Sequence, residues 1–352
     1  IAPFNLDNIE IDSIEKTKIY LEKLNLSTLS LDFYSGTLMA LQKAKNLGIN
    51  LEVDTYDNKN SFEEIDKIAN SKKIKNYDFI LGPFIPRNIN RLSSMLSEFN
   101  TPIVSPLTSK EINLNKNIFQ SIPPVELQRE LMFRHVDSLI LQDPDPCVMI
   151  IYDTSTENVK EELLKRFPYY ELIDTDLTMG LVDPEITDSL LVEQKNNLVF
   201  LESQNLNVIT SVSSLLNSQI SKERNINMLS SYRSETYENE NISFQHLGNL
   251  KFTYPTYFYP KYDEELNELN DLFFENFGKL PNKIVIRAYE ITLDLILRSA
   301  FRRKLVKSIN IGETKYYQNR FKYKKLNNGY INESVLLIQH DDLDVFEITS
   351  EK

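Results

Sequence analysis

The strongest constraint in this chain is a rhythm of short apolar strands separated by helices, run through once and then begun again. Ile1-Ala-Pro-Phe-Asn-Leu6 reads as an opening strand. After a polar, charged stretch over residues 7–30, Leu31-Asp-Phe-Tyr-Ser-Gly36 leads into a helix ending near Leu47-Gly48. Gly48 suits the left-handed position just past a helix end. Leu51-Glu-Val-Asp-Thr-Tyr56 alternates as a strand, and residues 62–70 read as a helix capped by Ser61. The strand Tyr77-Asp-Phe-Ile-Leu81, the turn Gly82-Pro83, a helix over 88–99 and the strand Pro102-Ile-Val104 complete the first round. Strand, helix, strand, helix, strand is the grammar of a parallel sheet covered by helices on both faces.

The second round begins after Asn117-Ile-Phe-Gln-Ser-Ile-Pro-Pro124. Helices are expected over 125–141, 158–166, 186–192 and 205–218, and strands over 147–152, 169–173, 198–201 and 226–229. An aromatic strand follows, Leu250-Lys-Phe-Thr-Tyr-Pro-Thr-Tyr-Phe-Tyr259, and then two helices over 263–277 and 281–304, with Pro281 in the first turn of the second. The tail, residues 320–338, reads as two strands around the hairpin signal Asn328-Gly329. Late helices are hard to place on the second sheet, so the chain is expected to return to its first part. The expected organisation is one lobe from 1–122 plus 254–316 and another from 123–253 plus 317–352.

Glycine usage narrows the function classes. Only eight occur in 352 residues, and no two lie close together. Dinucleotide fingerprints, P-loops and nucleophile elbows need closely spaced glycines for tight turns and close backbone approach, so all three are absent as motifs. The formal net charge of −12 repels phosphate backbones and anionic lipid surfaces, which argues against a nucleic-acid partner. Cys147 stands alone in an apolar run and reads as a structural thiol. His135, His246 and His340 have no partners at metal-ligand spacing, so no metal or cofactor is expected. The most apolar long stretch, residues 284–301, carries Arg287, Glu290, Asp294 and Arg298, which argues against a membrane span. Residue 1 already lies inside an apolar run, and a leader or upstream module is expected to precede it.

The pattern resembles the type I periplasmic binding proteins, the two-lobed family of leucine/isoleucine/valine-binding proteins and related receptor ectodomains. The resemblance is carried by the opening strand ending in Pro-Phe, by Asp32-Phe-Tyr-Ser-Gly36, by Asp78-Phe-Ile-Leu-Gly-Pro83 and by Pro102-Ile-Val-Ser-Pro106. Arg287-Ala-Tyr-Glu-Ile-Thr-Leu-Asp-Leu295 and the closing hairpin extend it over most of the chain. The Asp-Phe-Tyr-Ser-Gly element and Gly329-Tyr-Ile-Asn332 are similar to a Bacteroidetes subgroup often joined to LysM peptidoglycan-binding modules. The resemblance implies an α/β fold of two lobes, each a parallel sheet flanked by helices, with hinge crossovers between them. It also implies an exported protein of the periplasm or cell envelope, a small ligand in the inter-lobe cleft, and a peptidoglycan link through a module outside these residues.

Ligands of open parallel sheets sit at the carboxyl ends of the strands. In the first lobe that selects Ser105 and Thr108, whose hydroxyls suit a ligand carboxylate or simply close a strand. The family usually has small residues after the Gly-Pro turn, whereas this chain has Phe84-Ile85-Pro86. Bulk there implies a small or apolar ligand, or a cleft given over to protein interaction. In the second lobe Asp153 is placed to hold an ammonium or to cap the next helix, Ser203 follows a strand, and Tyr232 or Arg233 would cover a ligand. Tyr254, with Tyr257 and Tyr259, lines the hinge side or joins the core. The basic stretch Arg298, Arg302, Arg303, Lys304 and Lys307 reads as a cationic helix end or a site for an anionic partner. Asp341-Asp-Leu-Asp344 lacks the pattern of a calcium loop. Paired carboxylates such as Asp54 and Asp57 are the best material for an enzyme, and no catalytic residues are assigned. The reading is a non-enzymatic solute-binding or sensing module; the alternative is an interaction or scaffold module with an envelope protein as partner.

Overall fold

Backbone pairing divides the chain into two units, Ile1–Pro124 with Pro260–Ser334 and Val125–Tyr259 with Val335–Lys352. The computed structural model describes residues 1–10, 12–143, 145–167, 171–175, 181–260 and 267–348.

The first unit opens with helices α1 (Ile14–Glu22), α2 (Leu26–Asn46) and α3 (Phe62–Asn70), followed by β1 (Ile80–Leu81), α4 (Pro86–Met95), β2 (Ile103–Ser105) and β3 (Ile118–Gln120). Helix α2 starts five residues before the expected Leu31, because Asn25 forms a capping box. The Asn25 carboxamide oxygen accepts from the N–H groups of Ser27 and Thr28, and Thr28 Oγ1 accepts from the Asn25 N–H. Gly48 takes φ 81° after the helix end, the left-handed position its place in the sequence implies. Two expected strands do not form ladders. Residues 51–55 are exposed and carry no strand assignment, and the opening segment makes one parallel bridge, Ala2 with Asp57.

The second unit contributes α5 (Val125–Gln142), β4 (Cys147–Tyr152), α6 (Glu157–Arg166), β5 (Glu171–Asp174), α7 (Pro184–Leu190), β6 (Asn196–Glu202), α8 (Leu206–Ser218), β7 (Asn225–Leu229), α9 (Phe244–Asn249) and β8 (Thr253–Thr256). The chain then returns to the first unit with α10 (Asn267–Phe277), α11 (Lys283–Arg302), β9 (Thr314–Lys315), β10 (Arg320–Phe321), β11 (Tyr323–Leu326) and β12 (Gly329–Asn332). It ends in the second with β13 (Leu336–Asp341) and β14 (Asp344–Glu347). Parts of the strand expected over 169–173 and of the helix expected over 263–277 lie outside the described residues. Asn282 caps α11, so Pro281 precedes the cap and is not in the first turn.

In the first unit the strand order is β1-β2-β3-β12-β11, parallel except for the β12/β11 hairpin. In the second it is β14-β13-β8-β7-β6-β4-β5, parallel from β5 to β8 and antiparallel beyond. These ladders move two segments from the lobes expected at 1–122 plus 254–316 and 123–253 plus 317–352. Residues 254–259 stay with the second unit because β8 pairs with β7 and β13. Residues 317–334 belong to the first, because β12 lies beside β3 with Tyr330 opposite Phe119.

Two features of α11 hold the first unit together. Gly36 of α2 lets the helices touch, since a Cβ there would fall 2.1 Å from the Val285 carbonyl oxygen. The four charges that interrupt the apolar pattern of α11 are buried. Arg298 Nε donates to Asp294 Oδ2 at 2.8 Å, and its remaining donors reach Thr314 Oγ1 and the carbonyls of Ser308, Gly312 and Phe321. Arg298 is 2% exposed, so it does not belong to a basic surface stretch. Among the described residues no helix is long and apolar enough to cross a membrane.

Gly36→Ala is expected to lower stability by about 2 kcal/mol or more, through separation of α2 and α11, and a urea titration measures it. Removing one partner of the internal pair, as in Asp294→Ala, is expected to cost about 3–5 kcal/mol, since the guanidinium of Arg298 would stay buried without its carboxylate. A surface-like loss below about 1 kcal/mol would contradict the network.

Candidate ligand-binding site

In the first unit the strand ends are tied together from below by α11. Arg287 donates from Nε to the Pro106 carbonyl at 3.2 Å, from Nη2 to Ser121 Oγ at 2.7 Å and from Nη1 to Asn319 Oδ1 at 2.7 Å. Ser121 Oγ donates in turn to the Ser105 carbonyl at 2.6 Å. Glu290 accepts from the Gln318 N–H and from both the N–H and the carboxamide of Asn319. Burial pushes its carboxyl up to about 7, against those hydrogen bonds and the charge of Arg287.

This scaffold fixes the turn after β2. Ser105 is fully buried and its Oγ has no partner among the described residues, while Thr108 Oγ1 accepts from the Lys110 N–H at 3.1 Å. Phe84 does not stand at the mouth of the strand ends as a bulky wall. It is 5% exposed and packs on Phe33 with ring centroids 4.9 Å apart, inside the apolar cluster that also holds Val104 and Phe119. The carboxylates considered for an enzyme serve separate structures. Asp54 binds Lys73 and Tyr77, whereas Asp57 accepts from the N–H groups of Asn5, Leu6 and Lys59.

In the second unit the strand ends gather buried polar groups. Asp153, after β4, caps the short turn Thr154–Thr156 by accepting from the Ser155 N–H at 2.9 Å, and its other oxygen accepts from Ser203 Oγ. Ser203 Oγ itself accepts from the Asn205 N–H at 3.0 Å. Tyr232 is half-buried, and its backbone carbonyl and N–H both meet Ser230 Oγ. Glu202, the last residue of β6, is 3% exposed and accepts from the Ser231 N–H at 2.6 Å. Burial raises its carboxyl to about 7, with the Ser231 hydrogen bond and the charge of Arg129 opposing the rise.

Beside Glu202 runs a seam of rings with polar edges. Tyr237 stacks on Phe252 at 4.7 Å, Phe252 meets Tyr254 at 5.0 Å, and Tyr254 meets His340 at 5.8 Å. The guanidinium of Arg233 lies 5.1 Å from the Tyr254 ring centroid. Along this seam and its neighbour Ser234, the buried Ser234 Oγ, Tyr237 OH, Tyr254 OH, Arg233 Nε and both ring nitrogens of His340 have no hydrogen-bond partner among the described residues. Burial and the neighbouring Arg233 lower the His340 pKa to about 4, so the ring is neutral.

Asp153 and Ser203 therefore meet directly, and Arg233 meets Tyr254, while Ser105 and Thr108 share one turn of the other unit. The sequence does not single out Glu202 or Tyr237, and it offers His340 only as a histidine without metal-ligand partners. Glu202 was legible as an acid closing the apolar run Leu198–Leu201. Tyr237 and His340 lie at sequence distances that only the β8/β13 pairing brings together. The tail Asp341–Asp344 forms the tight turn between β13 and β14. Among the described residues no group of three or more His, Cys, Asp or Glu side chains is placed to hold a metal ion.

No family model and no curated protein matches the chain. Solved structures do. A putative branched-chain amino acid ABC transporter protein from Rhodospirillum rubrum aligns with TM-score 0.65 and 10% identity, over 92% of this chain and 96% of that one. A branched-chain amino acid ABC transporter periplasmic ligand-binding protein from Burkholderia xenovorans aligns with TM-score 0.62 and 8% identity, over 94% and 92%. A substrate-binding protein from Desulfitobacterium hafniense in complex with leucine aligns with TM-score 0.53 and 12% identity, over 90% and 95%. The fold is that of the type I periplasmic binding proteins, two lobes of parallel sheet flanked by helices.

Proposed function

We propose that this chain is a non-catalytic solute-binding or sensing module, exported to the bacterial cell envelope, whose ligand is small, polar, and amino-acid-like or cell-wall-derived. The observation that carries the reading is the seam beside Glu202. Buried polar groups almost always have hydrogen-bond partners, and leaving one without costs about 1–3 kcal/mol. A run of unpartnered donors and acceptors next to a carboxylate at the strand ends is suited to a molecule that brings the complementary atoms.

In this reading Glu202 faces a ligand ammonium or hydroxyl, and Tyr237, Ser234 and Arg233 take its oxygens. Asp153, Ser203, Tyr232 and Tyr254 would contribute from the same unit, and Ser105 and Thr108 are the binding residues proposed for the first unit. A ligand acts on such a module by differential affinity, favouring whichever conformation it binds better. Proteins of this fold with leucine or benzoate bound support the assignment to ligand binding. The LysM-associated resemblance favours wall fragments, with a peptidoglycan link through a separate module. The interaction-module reading rests on Phe84 and Ile85; of these, Phe84 packs against Phe33 and Ile85 is half-buried.

A thermal-shift screen against amino acids, short peptides, muropeptides and sugars is expected to find a ligand that raises Tm, as binding to the folded state alone requires. Tyr237→Phe removes a hydroxyl that has no partner, so the ligand-free protein should keep its Tm or gain slightly, while the ligand-induced shift falls. A variant that loses ligand-free stability but keeps the shift would refute the seam as the site. Glu202 adds a pH test. The folded pKa of about 7 lies above the unfolded value of 4.5, so the folded state holds a proton that the unfolded state has released. This contribution is present below about pH 4.5 and is lost as pH rises towards 7. Relative to the native chain, Glu202→Gln is expected to gain about 1–3 kcal/mol between pH 5 and 8 in denaturant titrations.

A further inference from the structure

Between Leu295 and Gly312 the chain carries five cations and no acid, in a sequence with 51 acidic residues in 352. Arg298 is used inside the first unit, where it binds the carbonyls of Ser308 and Gly312 and so fixes the turn that follows α11. The other four, Arg302, Arg303, Lys304 and Lys307, are exposed, and none has an acidic partner among the described residues. The helix dipole accounts only for Arg302, in the last turn of α11. Arg303 caps the helix in the left-handed conformation at φ 59°, and Lys304 and Lys307 belong to the 3-10 helix Leu305–Ile311 and its start. Like charges gathered this closely repel one another, and no acid among the described residues offsets them.

Apolar side chains stand among these charges. Phe301 is 70% exposed, with the Arg302 guanidinium 4.9 Å from its ring centroid. Helix α2 adds to the same end of the unit. It runs in the direction of α11, since Asp32 meets Asn282 and Thr37 meets Thr292. The two helices stop at one level, about 14 and 15 Å beyond the Thr37–Thr292 contact at 1.5 Å per residue, and there α2 presents the exposed Lys45 and Leu47. Arg287, which reaches the strand-end turn at Pro106, lies about 22 Å back along α11. The patch is therefore separate from the turn that holds Ser105 and Thr108.

We propose that this end of the first unit docks on a lipid bilayer with anionic headgroups, its cations meeting the phosphates while Phe301 and Leu47 enter the headgroup layer. The charges decide the sign of the partner, and the apolar side chains decide its kind. Each Lys or Arg close to an anionic bilayer is attracted to it, and apolar side chains ringed by cations are the pattern of segments that lie in a membrane interface. A soluble acidic segment would answer the charges and leave Phe301 and Leu47 in water. The net charge of −12 does not oppose such docking. At physiological ionic strength the field of a surface charge is screened over about 8 Å, so a face free of acids acts as a cation at contact.

The chain has no tryptophan, so Phe301→Trp places a single indole in the patch. Its emission is expected to shift to the blue with vesicles of phosphatidylcholine carrying about 30% phosphatidylglycerol, and to stay unchanged with phosphatidylcholine alone or with polyglutamate. In co-sedimentation with the anionic vesicles, combining Arg302→Gln, Arg303→Asn, Lys304→Gln and Lys307→Gln should weaken binding by about tenfold or more. Asn suits the left-handed position of residue 303, so this variant should keep the native Tm. Replacing the exposed Lys116, Lys165, Lys222 and Lys325 by Gln alters the net charge equally and should leave vesicle binding unchanged. An indole that does not shift with anionic vesicles, or equal losses in the two fourfold variants, would overturn the proposal. Polyglutamate that shifts the emission as the vesicles do would assign the patch to an acidic protein and overturn it as well.

Discussion

The first unit depends on the polar edge of a single helix. Helix α11 is buried over most of its length, yet four of its side chains are ionisable, and each is used to fix backbone that comes from elsewhere. Arg287 and Glu290 clasp Asn319 from two sides and reach the ends of β2 and β3. One turn further on, Asp294 and Arg298 hold the segment from Ser308 to Phe321. An apolar helix could bury as much area, but it could not specify where these carbonyls and amides lie. Directional bonds in a low-dielectric interior do that, and they are costly when incomplete. The strand-end turn containing Ser105 and Thr108 owes its shape to this helix more than to its own sequence.

The second unit shows the complementary arrangement, in which polar groups are buried without being satisfied. Asp153, Ser203 and Thr156 form a closed set, each with partners in the protein. In the same unit Tyr237, Arg233, Tyr254 and His340 have buried atoms with no partner among the described residues. A protein gains nothing in stability from such a seam, since each buried polar atom without a partner costs free energy.

Much of the fold could be read from the chain because parallel strands buried on both faces leave a loud apolar signature. Cys147–Tyr152 and Leu198–Leu201 were found for that reason, and the cap residues Ser61 and Asp153 follow from simple donor chemistry. The failures have physical causes too. Alternation in Leu51–Tyr56 reports a half-buried strand, but a strand exists only where neighbours supply ladder bonds, and sequence does not count neighbours. The lobe limits were displaced because β8 and β12 look alike as short aromatic strands, and only long-range pairing with β13 and β3 sorts them. Phe84 was read from its place after a turn, whereas its direction is set by Phe33 of α2. Glu202 is marked in the sequence only by its place after the apolar run Leu198–Leu201, and one acid among 51 acidic residues does not announce its burial more plainly than that.

The order of the strands bears on how the molecule is made. The central sheet of the first unit waits for β12, whose partner β3 lies more than two hundred residues earlier, and the second unit waits for β13 to cover β8. On a ribosome neither sheet is complete when its first long stretch emerges; both wait for strands from the same short segment, residues 323–347. A nascent chain would therefore expose the bare edges of β3 and β8 until residues 329–341 have been made, and the two halves would gain these strands almost together, from one short piece of polypeptide that serves both.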